Sequence, residues 1–138
     1  MKNLKILLNN YLYKNKNRFL VSDINRSYLG EEFKKKVLLY KKNIKLISKE
    51  KNGIGILLER DADYLAAIFA CILLGKYYVP LSLRSTKSLI DYQIKTSKIN
   101  VLITNKNKKK VFFKKIIKKE KLKIINKLAY IIFTSGST

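Results

Sequence analysis

Residues 53–81 decide the fold: Gly53-Ile54-Gly55-Ile56-Leu57-Leu58-Glu59-Arg60-Asp61-Ala62-Asp63, Tyr64-Leu65-Ala66-Ala67-Ile68-Phe69-Ala70-Cys71-Ile72-Leu73-Leu74, Gly75-Lys76-Tyr77-Tyr78-Val79-Pro80-Leu81. Ile54 to Leu58 is a continuous apolar run of strand length, the kind that suits a parallel strand covered on both faces. Asp61 or Asp63 can cap a following helix, because a short carboxylate accepts from the free N–H groups of a first turn. Tyr64 to Leu74 is apolar nearly all round, which predicts a buried helix. Gly75 ends it, since glycine tolerates the left-handed backbone of a helix terminus. Tyr77 to Pro80 is then a second strand, closed by Pro80.

Upstream, Phe33, Val37, Leu38, Tyr40, Ile44 and Ile47 recur at helical spacing between Glu31 and Ser48. Glu31 and Glu32 fall in the first turn, where the helix dipole favours carboxylates. Phe19 to Ser22 and Ser27 to Leu29 are short β-favouring pieces around a turn at Asp23-Ile24-Asn25. Residues 1–17 are polar with a few Leu and Tyr, and read as a short helix or a loose arm. Downstream, a helix over Lys87–Ser97 precedes a strand at Val101–Thr104. The alternation of helix and strand predicts an α/β fold with a mainly parallel sheet and flanking helices. Its expected core holds Ile56, Leu57, Ile68, Ile72, Val79 and Leu102.

After residue 104 the character changes. Residues 105–127 are Lys-rich, with the apolar pairs Phe112-Phe113, Ile116-Ile117 and Ile124-Ile125. They read as a connector whose apolar pairs dock on the sheet edge, in preference to a basic amphipathic helix over Lys108–Ile125 suited to an anionic membrane surface. Leu128 to Phe133 returns to a strand, with Tyr130 in sheet packing. The chain thus divides into an N-terminal arm (1–18), an α/β subdomain (19–104), a connector (105–127), and a strand with a terminal loop (128–138).

Composition narrows the function. The chain has 138 residues and a formal charge of +22. Of its 31 basic residues only Arg18, Arg26, Arg60 and Arg84 are arginine, the rest lysine. Base readout and bidentate phosphate clamps favour the planar fork of Arg, so the charge reads as a solvated surface rather than a specific nucleic-acid site. A small basic nucleic-acid-binding or membrane-surface protein is the alternative that the charge keeps open. No apolar run approaches the ~20 residues of a membrane span. The chain holds no His, which removes His-based catalysis. Cys71 is alone, so no internal disulfide forms and a reducing cytoplasm is expected; within its apolar helix it reads as an inert buried thiol. Asp61 and Asp63 read as caps rather than metal ligands. One of Tyr77 and Tyr78 should face the core and the other be partly exposed, since neighbours alternate along a strand.

The last residues carry chemistry. A hydrophobic strand running into Thr134-Ser135-Gly136-Ser137-Thr138 offers convergent backbone N–H groups and hydroxyl donors to an anion, and a phosphate is the natural ligand. Gly136 permits backbone angles that a side chain would forbid.

Leu128 to Thr138 closely resembles the phosphate-loop signature of the adenylate-forming (AMP-binding) synthetase family, which normally continues as Gly-x-Pro-Lys-Gly. The block from Gly53 to Leu81 resembles the strand-helix-strand of the same family. Its "LLER" and "YYVPL" variants are most similar to amino-acid adenylation domains of nonribosomal peptide synthetases and to D-alanine carrier-protein ligases. Ser27-Tyr28 before Glu31-Glu32-Phe33 is a weaker echo of Thr-Tyr-x-Glu-Leu, out of step by one residue. Ser82-Leu83, Thr86 and Leu89 stand where the family usually shows Asp-Pro, another Pro and an Arg.

The resemblance implies an incomplete, N-terminal part of the adenylate-forming enzyme fold. Such enzymes join a carboxylic acid to ATP as an acyl-adenylate, with Mg²⁺, and pass the acyl group to a thiol of coenzyme A or of a phosphopantetheine carrier protein. By that analogy Thr134, Ser135, Gly136, Ser137 and Thr138 hold the ATP phosphates. The resemblance assigns no catalytic residue and no Mg²⁺ ligand within these 138 residues, which are expected to be inactive alone.

Overall fold

A computed structural model describes residues 2–48, 53–106, 110–116 and 128–134. Its elements are α1 (Lys2–Lys14), β1 (Phe19–Ser22), β2 (Ser27–Leu29), α2 (Gly30–Ile47), β3 (Gly53–Leu57), α3 (Ala62–Leu74), β4 (Tyr78–Pro80), α4 (Lys87–Thr96), β5 (Ile99–Lys106) and β6 (Lys110–Lys115). β1 and β2 form a small antiparallel hairpin, and the main sheet has the order β4-β3-β5-β6. β3 runs parallel to both β4 and β5, whereas β6 returns antiparallel to β5. The helices over α2, α3 and α4 and the strands over β3, β4 and β5 stand where the residue pattern puts them.

Local chemistry explains the boundaries. Glu32 of α2 reaches back to accept from the Leu29 N–H at 2.9 Å, occupying a donor with no partner inside the helix. Asp61 caps α3 by accepting from Tyr64 N at 3.0 Å. At the other end Gly75 turns left-handed with φ +68°, and the Lys76 N–H closes on Cys71 O at 3.0 Å. Thr86 caps α4 by accepting from Leu89 N at 3.3 Å.

The sheet has two unlike faces. On one, α2 and α3 cover Ile54, Ile56, Val101 and Ile103, all fully buried with Phe33, Val37 and Ile44. On the other, α4 and residues 128–133 cover Tyr77, Val79, Leu81 and Ile99. A register shift in the β3–β5 pairing, between Gly53 opposite Ile99 and Ile54 opposite Val101, sends Ile99 to this second face.

Part of the expected core is displaced. Ile56 and Val79 are buried, but Leu57, Ile68, Ile72 and Leu102 are only half-buried. α3 buries its small side chains, Ala62, Ala66, Ala67, Ala70 and Cys71, and turns Leu65 outward at 37% exposure. Small side chains permit close approach to α2, and that approach decides which stripe of an all-apolar helix faces inward. Leu57 and Leu102 are half-buried because the second face has one short helix over it.

Residues 110–115 of the connector lie on the sheet edge, where its apolar pairs are expected to dock, and do so as a strand rather than the alternative helix. Phe113 packs against Tyr40, ring centroids 5.3 Å apart, while Phe112 faces out. One further reading changes. Residues 128–134, read as a strand, make a single parallel bridge between Tyr130 and Tyr78 and are otherwise irregular. The N-terminal residues, open between helix and arm, form α1, whose Leu12 is buried against the core.

Candidate phosphate-binding edge

Parallel strands deliver their carboxyl ends, with the loops that follow, to one edge of a sheet, and α/β folds bind ligands at that edge. Here the edge is formed by Leu58 after β3, Leu81 and Ser82 after β4, and the end of β5. The segment 128–134 joins it. The Tyr78 N–H donates to Ala129 O at 3.1 Å and the Ile131 N–H to Tyr78 O at 3.0 Å, which sets the segment parallel to β4. Phe133 then packs on Tyr92 of α4, centroids 6.4 Å apart, and Thr134 emerges exposed beside the carboxyl end of β4. Ser135, Gly136, Ser137 and Thr138 lie outside the described residues.

The helix N-termini differ in what they offer an anion. That of α3 is filled by carboxylates. Asp61 accepts from Tyr64 N, and Asp23, from the β1–β2 turn, accepts from Ala62 N at 3.2 Å. Asp23 also accepts from Asn25 N at 2.8 Å and Arg26 N at 3.1 Å, and the Asn25 bond foremost holds its carboxyl below the usual range. Glu31 and Glu32 occupy the first turn of α2. The first turn of α4 has no acidic residue, and Arg84 precedes it.

Asp63 turns away from this edge. It accepts from Lys36 Nζ and from the Tyr40 hydroxyl, each at 2.7 Å, and ties α2 to α3. Burial and then the Asp63 bond push the Tyr40 hydroxyl well above its ordinary range. Asp61 is therefore a cap as read, whereas Asp63 is a tertiary ion-pair partner, a role no sequence signal announces because Lys36 is 27 residues away. Tyr77 is buried, its hydroxyl donating to Ser97 O at 2.9 Å; Tyr78 is half-exposed and stacks at 5.8 Å on Tyr130. Cys71 is fully buried, and burial pushes its thiol up, with Lys76 opposing. A protonated buried thiol is a poor nucleophile.

Among the described residues no cluster of three His, Cys, Asp or Glu side chains could hold a metal ion. Nor, among them, is any helix long and apolar enough to cross a membrane.

The sequence profile of the family described as AMP-binding enzyme matches residues 43–127, ending one residue before the terminal motif. No curated protein matches the chain. Solved structures do. The N-terminal subdomain of Klebsiella oxytoca NpsA is 15% identical over 72% of this chain and 26% of its own, with a TM-score of 0.66. Coronafacic acid ligase from Pectobacterium brasiliense is 19% identical over 74% of this chain and 21% of its own, with a TM-score of 0.68. O-succinylbenzoate coenzyme A synthetase (MenE) from Bacillus subtilis, solved with ATP and a magnesium ion, is 21% identical over 72% of this chain and 27% of its own, with a TM-score of 0.66. The chain thus covers about a quarter or less of the length of the structures it matches, and at these identities the likeness is one of fold.

Proposed function

The chain belongs to the AMP-binding enzyme family, and from that premise we propose that it forms the N-terminal part of an ATP-dependent ligase activating a carboxylic acid, by preference an amino acid. The acid attacks the α-phosphate of ATP to give an acyl-adenylate and pyrophosphate. The acyl group then passes to a thiol, on a phosphopantetheine carrier protein or on coenzyme A, with AMP leaving and the thiol proton released. A cytoplasmic location accords with the single, reduced Cys71.

One observation carries the site assignment: residues 128–134 run parallel to β4 and bring Thr134 to the carboxyl edge of the sheet. On this reading Thr134 and the following Ser135, Gly136, Ser137 and Thr138 hold the phosphates released as pyrophosphate. Their hydroxyl and backbone N–H donors neutralise and position the departing oxygens. Two features of the edge support an anion there: the α4 N-terminus free of carboxylates, and Arg84 before it. ATP supplies the activated phosphate when bound; these residues grip and orient it. The acid pocket and Mg²⁺ ligands belong to the remainder of the enzyme, so the 138 residues alone are proposed to be inactive.

Sequencing past codon 138 tests the reading first, and the expected frame continues as Gly-x-Pro-Lys-Gly. The protein of family length should catalyse ATP–pyrophosphate exchange dependent on an added amino or aryl acid. Gly136→Val in that protein should lower exchange at least about a hundredfold, as expected when backbone donors lose their geometry. Exchange catalysed by the 138 residues themselves would overturn the assignment of the missing groups. No exchange with any acid at family length would overturn the activity.

A further inference from the structure

α2 carries a second, unused face. At about 100° per residue, Lys35, Leu38, Leu39, Lys42, Lys45 and Leu46 fall within an arc of roughly 120° on the side opposite the buried Phe33, Val37, Tyr40 and Ile44. All six are exposed, and the leucines keep 46% (Leu38), 57% (Leu39) and 69% (Leu46) of their surface in solvent. No acidic residue follows Glu32 in the helix. Three exposed leucines together, flanked by lysines, make an apolar strip with a cationic border.

We propose that this face of α2 docks on an anionic lipid surface, with the leucines entering the headgroup boundary and Lys35, Lys42 and Lys45 meeting lipid phosphates. Three observations choose this occupant. A second copy of the chain would bring +22 against +22 and lysines against lysines. A protein partner fits the composition poorly, because lysine is depleted from protein interfaces and leucine is under-represented among their anchors, which are Trp, Tyr and Arg. A convex Leu–Lys helix face lying in the plane of a bilayer is the arrangement that anionic lipids attract. The inference is independent of the proposed ligase activity, since the six residues lie on the outer side of α2, opposite the stripe it packs on the core.

Vesicle flotation tests it with the 138-residue protein. Vesicles of phosphatidylcholine with about one third phosphatidylglycerol should carry the protein up, and pure phosphatidylcholine should not. The triple variant Leu38→Ser, Leu39→Ser, Leu46→Ser should lose about a hundredfold in partitioning, since it removes apolar insertion and leaves all charges. Lys35→Gln, Lys42→Gln, Lys45→Gln should lose a comparable factor at low salt, at about fivefold per lysine. Arg84→Gln, Lys87→Gln, Lys95→Gln removes the same charge around α4 and should leave most of the binding. Because the chain has no Trp, Leu39→Trp gives a single indole, excitable apart from the nine tyrosines, whose emission should shift to the blue on adding the mixed vesicles. Equal loss in the α2 and α4 lysine variants, undiminished binding of the leucine variant, an unshifted Trp, or no flotation of the unmodified protein would each overturn the proposal.

Discussion

The two faces of the main sheet are built from the same strands and end up unlike. Toward α2 and α3, Ile54, Ile56, Val101 and Ile103 are sealed; toward α4, Gly55, Leu57 and Leu102 share a thinner layer with Tyr77, Val79 and Leu81. The first face has two long helices that pack on each other, fastened by Asp63 with Lys36 and Tyr40. The second has a short helix and the irregular segment 128–133. The face that is closed carries stability, and the face that is thin borders the proposed phosphate loop. That division accords with binding segments being drawn from the less stable parts of a fold.

The contrast can be broken by substitution. Phe33→Ala, which empties a fully buried site beside Phe69, should cost about 3–5 kcal/mol in urea unfolding. Phe133→Ala, on the thin side against Tyr92, should cost about 1 kcal/mol. Equal costs would erase the distinction. Gly53→Ala is an intermediate case on the thin face: an added Cβ would collide with the Tyr77 ring. The ring must move and loosen its bond to Ser97 O, so the expected loss is about 2 kcal/mol, with a changed Tyr77 signal by NMR. Tyr40→Phe keeps the packing on Phe113 and removes one donor from Asp63, for about 1 kcal/mol.

The smallest effect concerns pH. Asp23 has a folded pKa below its ordinary 3.8, so its stabilising contribution is present above about 3.8 and is lost as pH falls through the folded value. Asp23→Asn should flatten that acid limb of the stability curve by lowering stability above about pH 3.8, with little change below the folded value. A limb of unaltered slope would place the titration elsewhere. Hydrogen exchange sharpens the same comparison: the Ile56 amide in β3 should exchange more slowly than Ile131, whose bond to Tyr78 O stands at an open edge.

How much was legible follows from range. Asp61 and Gly75 act on neighbours three or four residues away, so their roles could be read as written. The edge strand β6 was hidden because Lys-rich alternation around Phe112 and Phe113 suits a surface helix as well as an exposed strand. Of the candidate site, Thr134 is placed at the carboxyl edge, and Ser135 to Thr138 lie beyond the described residues. The Asp23 contact with α3 spans 39 residues and had no local signature.

The residue pattern alone determined the alternation of helices and strands, the parallel central pairing and the ends of α3. Those properties depend on periodicity, caps and glycine, which act within a turn or two of the chain. Tertiary structure alone decided which stripe of the all-apolar α3 is buried, which face of the sheet is thick, and that the segment 128–134 lies beside β4. It also decided that α2 keeps three leucines in solvent. Apolar side chains are equivalent to one another until packing distances choose among them, and packing distances are set by elements far apart in the chain.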